Sequence, residues 1–214
     1  YYWFWSILDH ITDNETSFIP LKDLALRMIS RVWYPLDYYK LSFGKQDYFK
    51  SVAASITNKI SINNAINAAP LFDQINEGLS REEIVNIQKQ ALLLLRWVPY
   101  RFIRPFFGVE LIGIEDSQVN RKLVELANLS KSKGVCPYWF EDDGIVLSKI
   151  WREYFLDHQR ILRDFIKWNL VKFLQKHNPN VIGLSEKLDK RQERDLKNAR
   201  QFWNEFLQNN LARC

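Results

Sequence analysis

The chain has 214 residues, 47% hydrophobic and 26% charged, which suits one large domain or two small ones around an ordinary core. Eight Trp, nine Tyr and 14 Phe make rings the main core material, while seven Gly and seven Pro argue against an all-β sandwich with its many tight turns. The net charge is +5; two cysteines, Cys136 and Cys214, build neither a disulfide framework nor a four-ligand zinc site, and no run of about 18 apolar residues is present to span a membrane.

Taken in chain order, residues 2–11 read as a short aromatic helix and residues 12–17 as a polar loop. The start, Tyr1 to Trp5, has no Met, no basic n-region and no cleavage pattern. It therefore reads as the interior of a longer chain rather than a signal peptide, and the expected compartment is reducing and cytoplasmic. Pro20 suits a first helical turn, after which Leu21, Leu24, Ala25, Met28 and Val32 repeat at helical spacing up to Pro35. Helices are expected over 45–59 and, more weakly, over 62–77, where Pro70 interrupts. Ser80 and Glu83 have capping-box spacing, and Ile84, Ile87, Ala91, Leu94 and Leu95 follow as an inward stripe.

Strands are expected at 106–114 and 138–147, the second folded about Asp142-Asp143-Gly144 as a hairpin. Asp116 or Ser117 is placed to cap a helix over 118–129. The longest helical pattern runs over residues 148–176, about 43 Å at about 1.5 Å per residue. Trp151, Tyr154, Phe155, His158, Ile161, Leu162, Phe165 and Ile166 fill one arc of it, expected to face the core. Lys149, Arg152, Arg160, Arg163 and Lys167 lie opposite. After Trp168 the apolar positions change side, which predicts a kink or a new neighbour there, and Asn178-Pro179 stops the helix. A last helix is expected over 190–210. The pattern as a whole predicts a mainly α, irregular multi-helix domain with one small β-hairpin or sheet. Residues 1–214 form a single domain divisible into 1–105, a small α/β insertion at 106–148, and long basic helices at 149–214.

The charge is unevenly spread. Residues 149–214 carry 14 Lys/Arg against 8 Asp/Glu, while residues 1–148 carry 16 against 17. A basic third of this kind reads either as a surface for an anionic partner or as a solvated helical face. Rings and cations also alternate from Arg96 through Trp97, Tyr100, Arg101 and Phe102 to Arg104. Such a segment holds phosphates and stacks on bases, or else it packs its rings inward and leaves arginines around the rim.

Catalytic signatures are weaker. His158 sits mid-arc and reads as a core residue, and His177 as a helix-end residue near the negative end of the dipole. Glu141, Asp142 and Asp143 admit a carboxylate metal site, but turn chemistry accounts for them more simply. There is no phosphate-binding glycine loop, no G-x-S-x-G and no H-E-x-x-H.

Several phrases carry a resemblance. They are residues 3–9 (WFWSILD), 19–25 (IPLKDLA), 40–47 (KLSFGKQD), 97–102 (WVPYRF) and above all 168–181, from Trp168-Asn169-Leu170 to Lys176-His177-Asn178-Pro179-Asn180-Val181. Together they resemble the helical N-terminal region of a family of bacterial HNH endonuclease domain proteins. The resemblance implies that the nuclease motif, and any divalent metal it uses, lies beyond Cys214. It implies no catalytic residue and no cofactor within this chain, and it implies a partner in the form of a C-terminal nuclease domain. The expected role is then nucleic-acid binding and scaffolding. DNA or RNA backbone phosphates would meet Arg101, Arg104, Arg160, Arg163, Lys167, Lys172, Lys176, Lys187, Lys190, Arg191 and Arg194. Two alternatives stay open. One is a protein-interaction module that presents an exposed aromatic patch near Trp168; the other is a stand-alone metal-dependent nuclease around Asp142 and Asp143.

Overall fold

The computed structural model describes residues 1–33, 35, 36, 39–43, 49, 52, 54, 71–73, 75, 80–188 and 204. The molecule is mostly helical with one small three-stranded antiparallel sheet. Its centre is helix α1 (Tyr2–Asp13), whose sequence is apolar nearly all round and which is accordingly buried on nearly every side, from Tyr2 and Trp3 to Ile11. Helix α2 (Leu21–Trp33) packs along it, and helix α3 (Arg81–Leu92) packs on α2.

The capping box at the start of α3 is present. Ser80 N donates to Glu83 Oε2 at 3.0 Å and Glu83 N donates to Ser80 Oγ at 3.3 Å. A 3-10 turn (Leu93–Leu95) leads to the short helix α4 (Val98–Ile103), then helix α5 (Asp116–Leu129) follows. Residue Glu115 stands at the N-cap of α5, so Asp116 lies in its first turn rather than capping it.

The strands are β1 (Phe18–Pro20), β2 (Tyr138–Glu141) and β3 (Gly144–Leu147), in the order β1-β3-β2. The hairpin about Asp142 and Asp143 is as expected, with Asp142 in the left-handed region at φ 47°. Strand β1 was not expected. Its three residues are too short to show alternation, and Pro20 serves as the last residue of an edge strand, where its missing N–H does no harm. The turn also starts α2, because Leu21 N donates to the Asp143 carbonyl at 2.9 Å.

The expected strand at 106–114 is absent. Pro105 instead lies in the start of a 3-10 turn (Arg104–Phe107), and Leu111 N bonds back to Phe107 O at 3.2 Å. Phe107 and Leu111 are buried while Val109 and Ile112 face solvent, a turn-like spacing of four rather than a period of two.

The long C-terminal pattern is broken once, at His158, into α6 (Lys149–Asp157) and α7 (Gln159–His177). Where a kink or a new neighbour is expected, near Trp168, α7 runs on as one unbroken helix. Ile166, Leu170 and Leu174 keep a single buried line through that point, each contributing about 1.5–3 kcal/mol by burial. Helix α8 (Leu184–Lys187) follows and packs on α7. Among the described residues no helix is long and apolar enough to cross a membrane. The helices expected over 45–59, 62–77 and 190–210 lie almost wholly outside the described residues.

Two buried polar links tie early chain to late chain. Trp3 Nε1 donates to the Tyr138 hydroxyl at 3.2 Å, and that hydroxyl donates in turn to the Pro99 carbonyl. Asn178, at the end of α7, accepts from Ser42 N at 2.7 Å and donates from Nδ2 to Ser42 O at 2.9 Å.

Candidate functional site

The rotation of α6 and α7 about their axes decides what the surface offers. The arc expected to face the core does so only in part, with Phe155 and Ile166 buried and Trp151 and Leu162 half-buried. Tyr154, His158, Ile161 and Phe165 point outward, Ile161 and Phe165 being 67% and 60% exposed. His158 is therefore no core residue. Its ring stacks on Tyr154 at 4.4 Å and its Nδ1 meets the Tyr154 carbonyl at 2.9 Å, a local pairing that needs no core neighbour.

The cause of the rotation is polar. Helix α1 turns Asp9 and its last-turn carbonyls toward α6 and α7. Arg163 reaches the Asp9 carboxylate with Nη1 and Thr12 Oγ with Nη2 at 3.3 Å. Arg152 Nη2 donates to Asn14 O at 3.0 Å. The side of the helices that reads as a solvated basic arc is thus drawn partly into the molecule.

The expected phosphate-contacting residues divide accordingly. Arg163 is committed to Asp9 and is not on the outer face. Arg104 lies 3.9 Å from Asp116, with both side chains exposed. Lys167 is half-buried on α7. Lys187 donates to the Ile182 carbonyl and lies 5.6 Å from the Tyr39 ring. Arg160, Lys172 and Lys176 are exposed on α7, and Arg101 is exposed on α4. Lys190, Arg191 and Arg194 fall outside the described residues. Two of these cations lie against indole rings, Arg101 on Trp97 and Lys172 on Trp168.

Both indoles are exposed. At α4, Trp97 is 39% exposed, and the guanidinium carbons of Arg96 and Arg101 stand 5.1 and 5.2 Å from its ring. On α7, Trp168 is 60% exposed, with Lys172 Nζ 3.9 Å from its ring and Lys176 one turn further on. No carboxylate pairs with Arg96, Arg101, Lys172 or Lys176 among the described residues. In the 96–104 segment the inward reading holds for the other two rings: Tyr100 stacks on Phe140 at 5.1 Å, and Phe102 on Tyr138 at 6.0 Å.

The α1–α2–α7 junction carries a second polar feature, which the sequence reading passed over. Asp9 receives Arg31 through two bonds of 2.7 Å as well as Arg163, and Asp13 receives Arg27 at 2.7 Å. A cavity of about 70 Å³ lies among them. The signal was available, since Asp9 and Asp13 on α1, like Arg27 and Arg31 on α2, are four residues apart and share a face. Beside this cluster His10 is buried with neither ring nitrogen bonded. Burial, helped by the Arg27 guanidinium, lowers its pKa to about 4.

Asp142 and Asp143 make the hairpin turn, and no three His, Cys, Asp or Glu among the described residues are grouped to hold a metal ion. His177 is exposed at the end of α7, with its Nδ1 2.9 Å from the Phe173 carbonyl. Cys136 is buried, and burial raises its thiol pKa. No family model, no curated protein and no solved structure matches this chain.

Proposed function

We propose that this chain is the nucleic-acid-binding and scaffolding region of a bacterial, cytoplasmic HNH-type endonuclease, non-catalytic in itself. The nuclease part of this reading rests on the sequence resemblance alone. The binding part rests on one observation: two solvent-facing indoles each lie against cations that no described carboxylate neutralises. A ring of this kind stacks on a base while the neighbouring cations take the flanking phosphates, an arrangement suited to unpaired strands of DNA or RNA. Base stacking contributes about 1–3 kcal/mol per ring, so Trp97→Ala and Trp168→Ala should each weaken binding of a fluorescent single-stranded oligonucleotide about five- to 150-fold. Log affinity should fall with log salt by about 0.7 per phosphate contacted. No binding at low salt, or binding indifferent to both substitutions, refutes the reading.

A second reading has its own support. The outer row Ile150, Tyr154, Ile161 and Phe165 offers little to a polynucleotide and lies beside exposed Glu153, Asp157 and Asp164. A face of this composition suits a protein, here the nuclease module itself. Ile161→Asp separates the two. Lost association with that module at unchanged oligonucleotide affinity marks a protein-docking face.

A further inference from the structure

The cavity between α1, α2 and α7 has the charge and the donors of an anion site. Three guanidinium groups, Arg27, Arg31 and Arg163, come from two different helices onto it, against two carboxylates, Asp9 and Asp13. The formal balance is one positive charge left over, in a site shielded on the α1 side by the protein core. Arg27 is the informative member. Its side chain is 10% exposed, its guanidinium carbon is 4.5 Å from the centre of the Phe72 ring, and its buried Nε has no hydrogen-bond partner. A buried guanidinium N–H left unpaired is costly, and an oxyanion oxygen is the acceptor that such a donor fits best. At roughly 10–15 Å³ per water-sized probe, the cavity of about 70 Å³ has room for roughly five such spheres, about the size of a tetrahedral oxyanion.

The two carboxylates play different parts. Asp9 is 14% exposed and holds Arg31 and Arg163 in fixed positions by three charge-assisted bonds. Asp13 is 52% exposed, stands at the solvent side and occupies only Arg27 Nη1. It is the group that an incoming anion displaces. Because Asp13 gives up Arg27 but stays at the solvent edge of the cluster, one further negative charge completes neutralisation, which favours a phosphodiester or a monoanionic phosphate over a dianion.

We infer that this cavity binds a phosphate oxyanion carrying one negative charge, held by Arg27, Arg31 and Arg163 with Asp13 as its competitor. The inference stands without the Trp97 and Trp168 platforms. The oxyanion has two sources, a free small phosphate or a backbone phosphodiester of a polynucleotide.

The test is calorimetric titration of the whole chain with inorganic phosphate near pH 6, where the monoanion predominates, repeated on Asp13→Asn and Arg163→Gln. Asp13→Asn is isosteric and Arg163→Gln is shorter but polar, and circular dichroism checks that each stays folded. Phosphate binding about ten-fold tighter in Asp13→Asn and about ten-fold weaker in Arg163→Gln supports the site. Absence of phosphate binding in both wild type and Asp13→Asn overturns it, as does binding that neither substitution changes. A second arm identifies the source. Displacement of a single-stranded oligonucleotide by phosphate, lost in Arg163→Gln, assigns the site to a backbone phosphodiester. Phosphate binding that leaves oligonucleotide affinity untouched assigns it to a free phosphate. The platform reading is read separately, through Trp97→Ala and Trp168→Ala, so either can fail while the other stands.

Discussion

Substituting Tyr138→Phe tests the polar centre of the core. The phenol is fully buried, and burial keeps its pKa well above the ordinary tyrosine value, which favours the neutral hydroxyl. It takes one bond from Trp3 Nε1 and gives one to the Pro99 carbonyl. Removing the oxygen leaves the indole N–H, on a side chain 1% exposed, with no acceptor. An orphaned buried group of this kind costs about 1–3 kcal/mol. The Pro99 carbonyl adds less, since it lies in the first turn of α4 with helical donors within reach. The ring contacts to Trp3, Phe102 and Phe140 are retained. The total loss is about 2–4 kcal/mol, read as a lower urea midpoint by tryptophan fluorescence at unchanged slope. Combining Tyr138→Phe with Trp3→Phe should cost less than the two single losses summed, because neither partner of the bond then remains unpaired. A loss below about 0.5 kcal/mol in the single variant refutes the account.

Two further outcomes follow from the same core. His10 stays neutral in the folded chain down to about pH 4 but protonates near 6.5 when unfolded. Stability should therefore be flat above about pH 6.5 and decline as pH falls toward 4, by about 3 kcal/mol in all, and His10→Gln should flatten that decline in denaturation curves taken across this range. Asp23, whose carboxyl pKa burial raises, acts in the opposite sense at the acid end, adding stability as pH falls through its folded pKa. A Cβ on Gly144 would stand 2.7 Å from the Ile19 carbonyl and collide with the Phe18 ring. Gly144→Ala should consequently push β1 off β3 and cost about 1–3 kcal/mol, seen as a lower thermal midpoint.

Much of the fold was legible because its signals are local. The α3 capping box, the 142–143 turn and the helical spacing in α1 and α2 each specify their element within a few residues. What failed was information that only a neighbour supplies. The outer row Tyr154, Ile161 and Phe165 has the right period for a core face, but periodicity does not say which side the rest of the protein will occupy. Asp9 and Asn14 settle that question by drawing Arg163 and Arg152 inward, so the charged side, not the most apolar one, turns partly to the core. Strand β1 was illegible for the same reason, since three residues become a strand only when β3 lies beside them. The binding candidates fared likewise. Trp97 could be told from Tyr100 and Phe102 only after Phe140 and Tyr138 had taken the latter two. The cluster of Arg27, Arg31, Asp9 and Asp13 was visible as two four-residue spacings, but its meaning needed α1 and α2 to be set side by side.

The clamp that Asn178 places on the backbone of Ser42 joins positions 136 residues apart, and the Trp3–Tyr138 bond spans 135. Contacts this distant in sequence form late, after the entropy of closing a long loop has been met. During synthesis the amino-terminal helices must wait, with rings such as Trp3 and Trp5 uncovered, until strand β2 and then the end of α7 have left the ribosome. The molecule closes on itself from its last helices inward, and a chain interrupted before residue 178 leaves the first 43 residues without their latch.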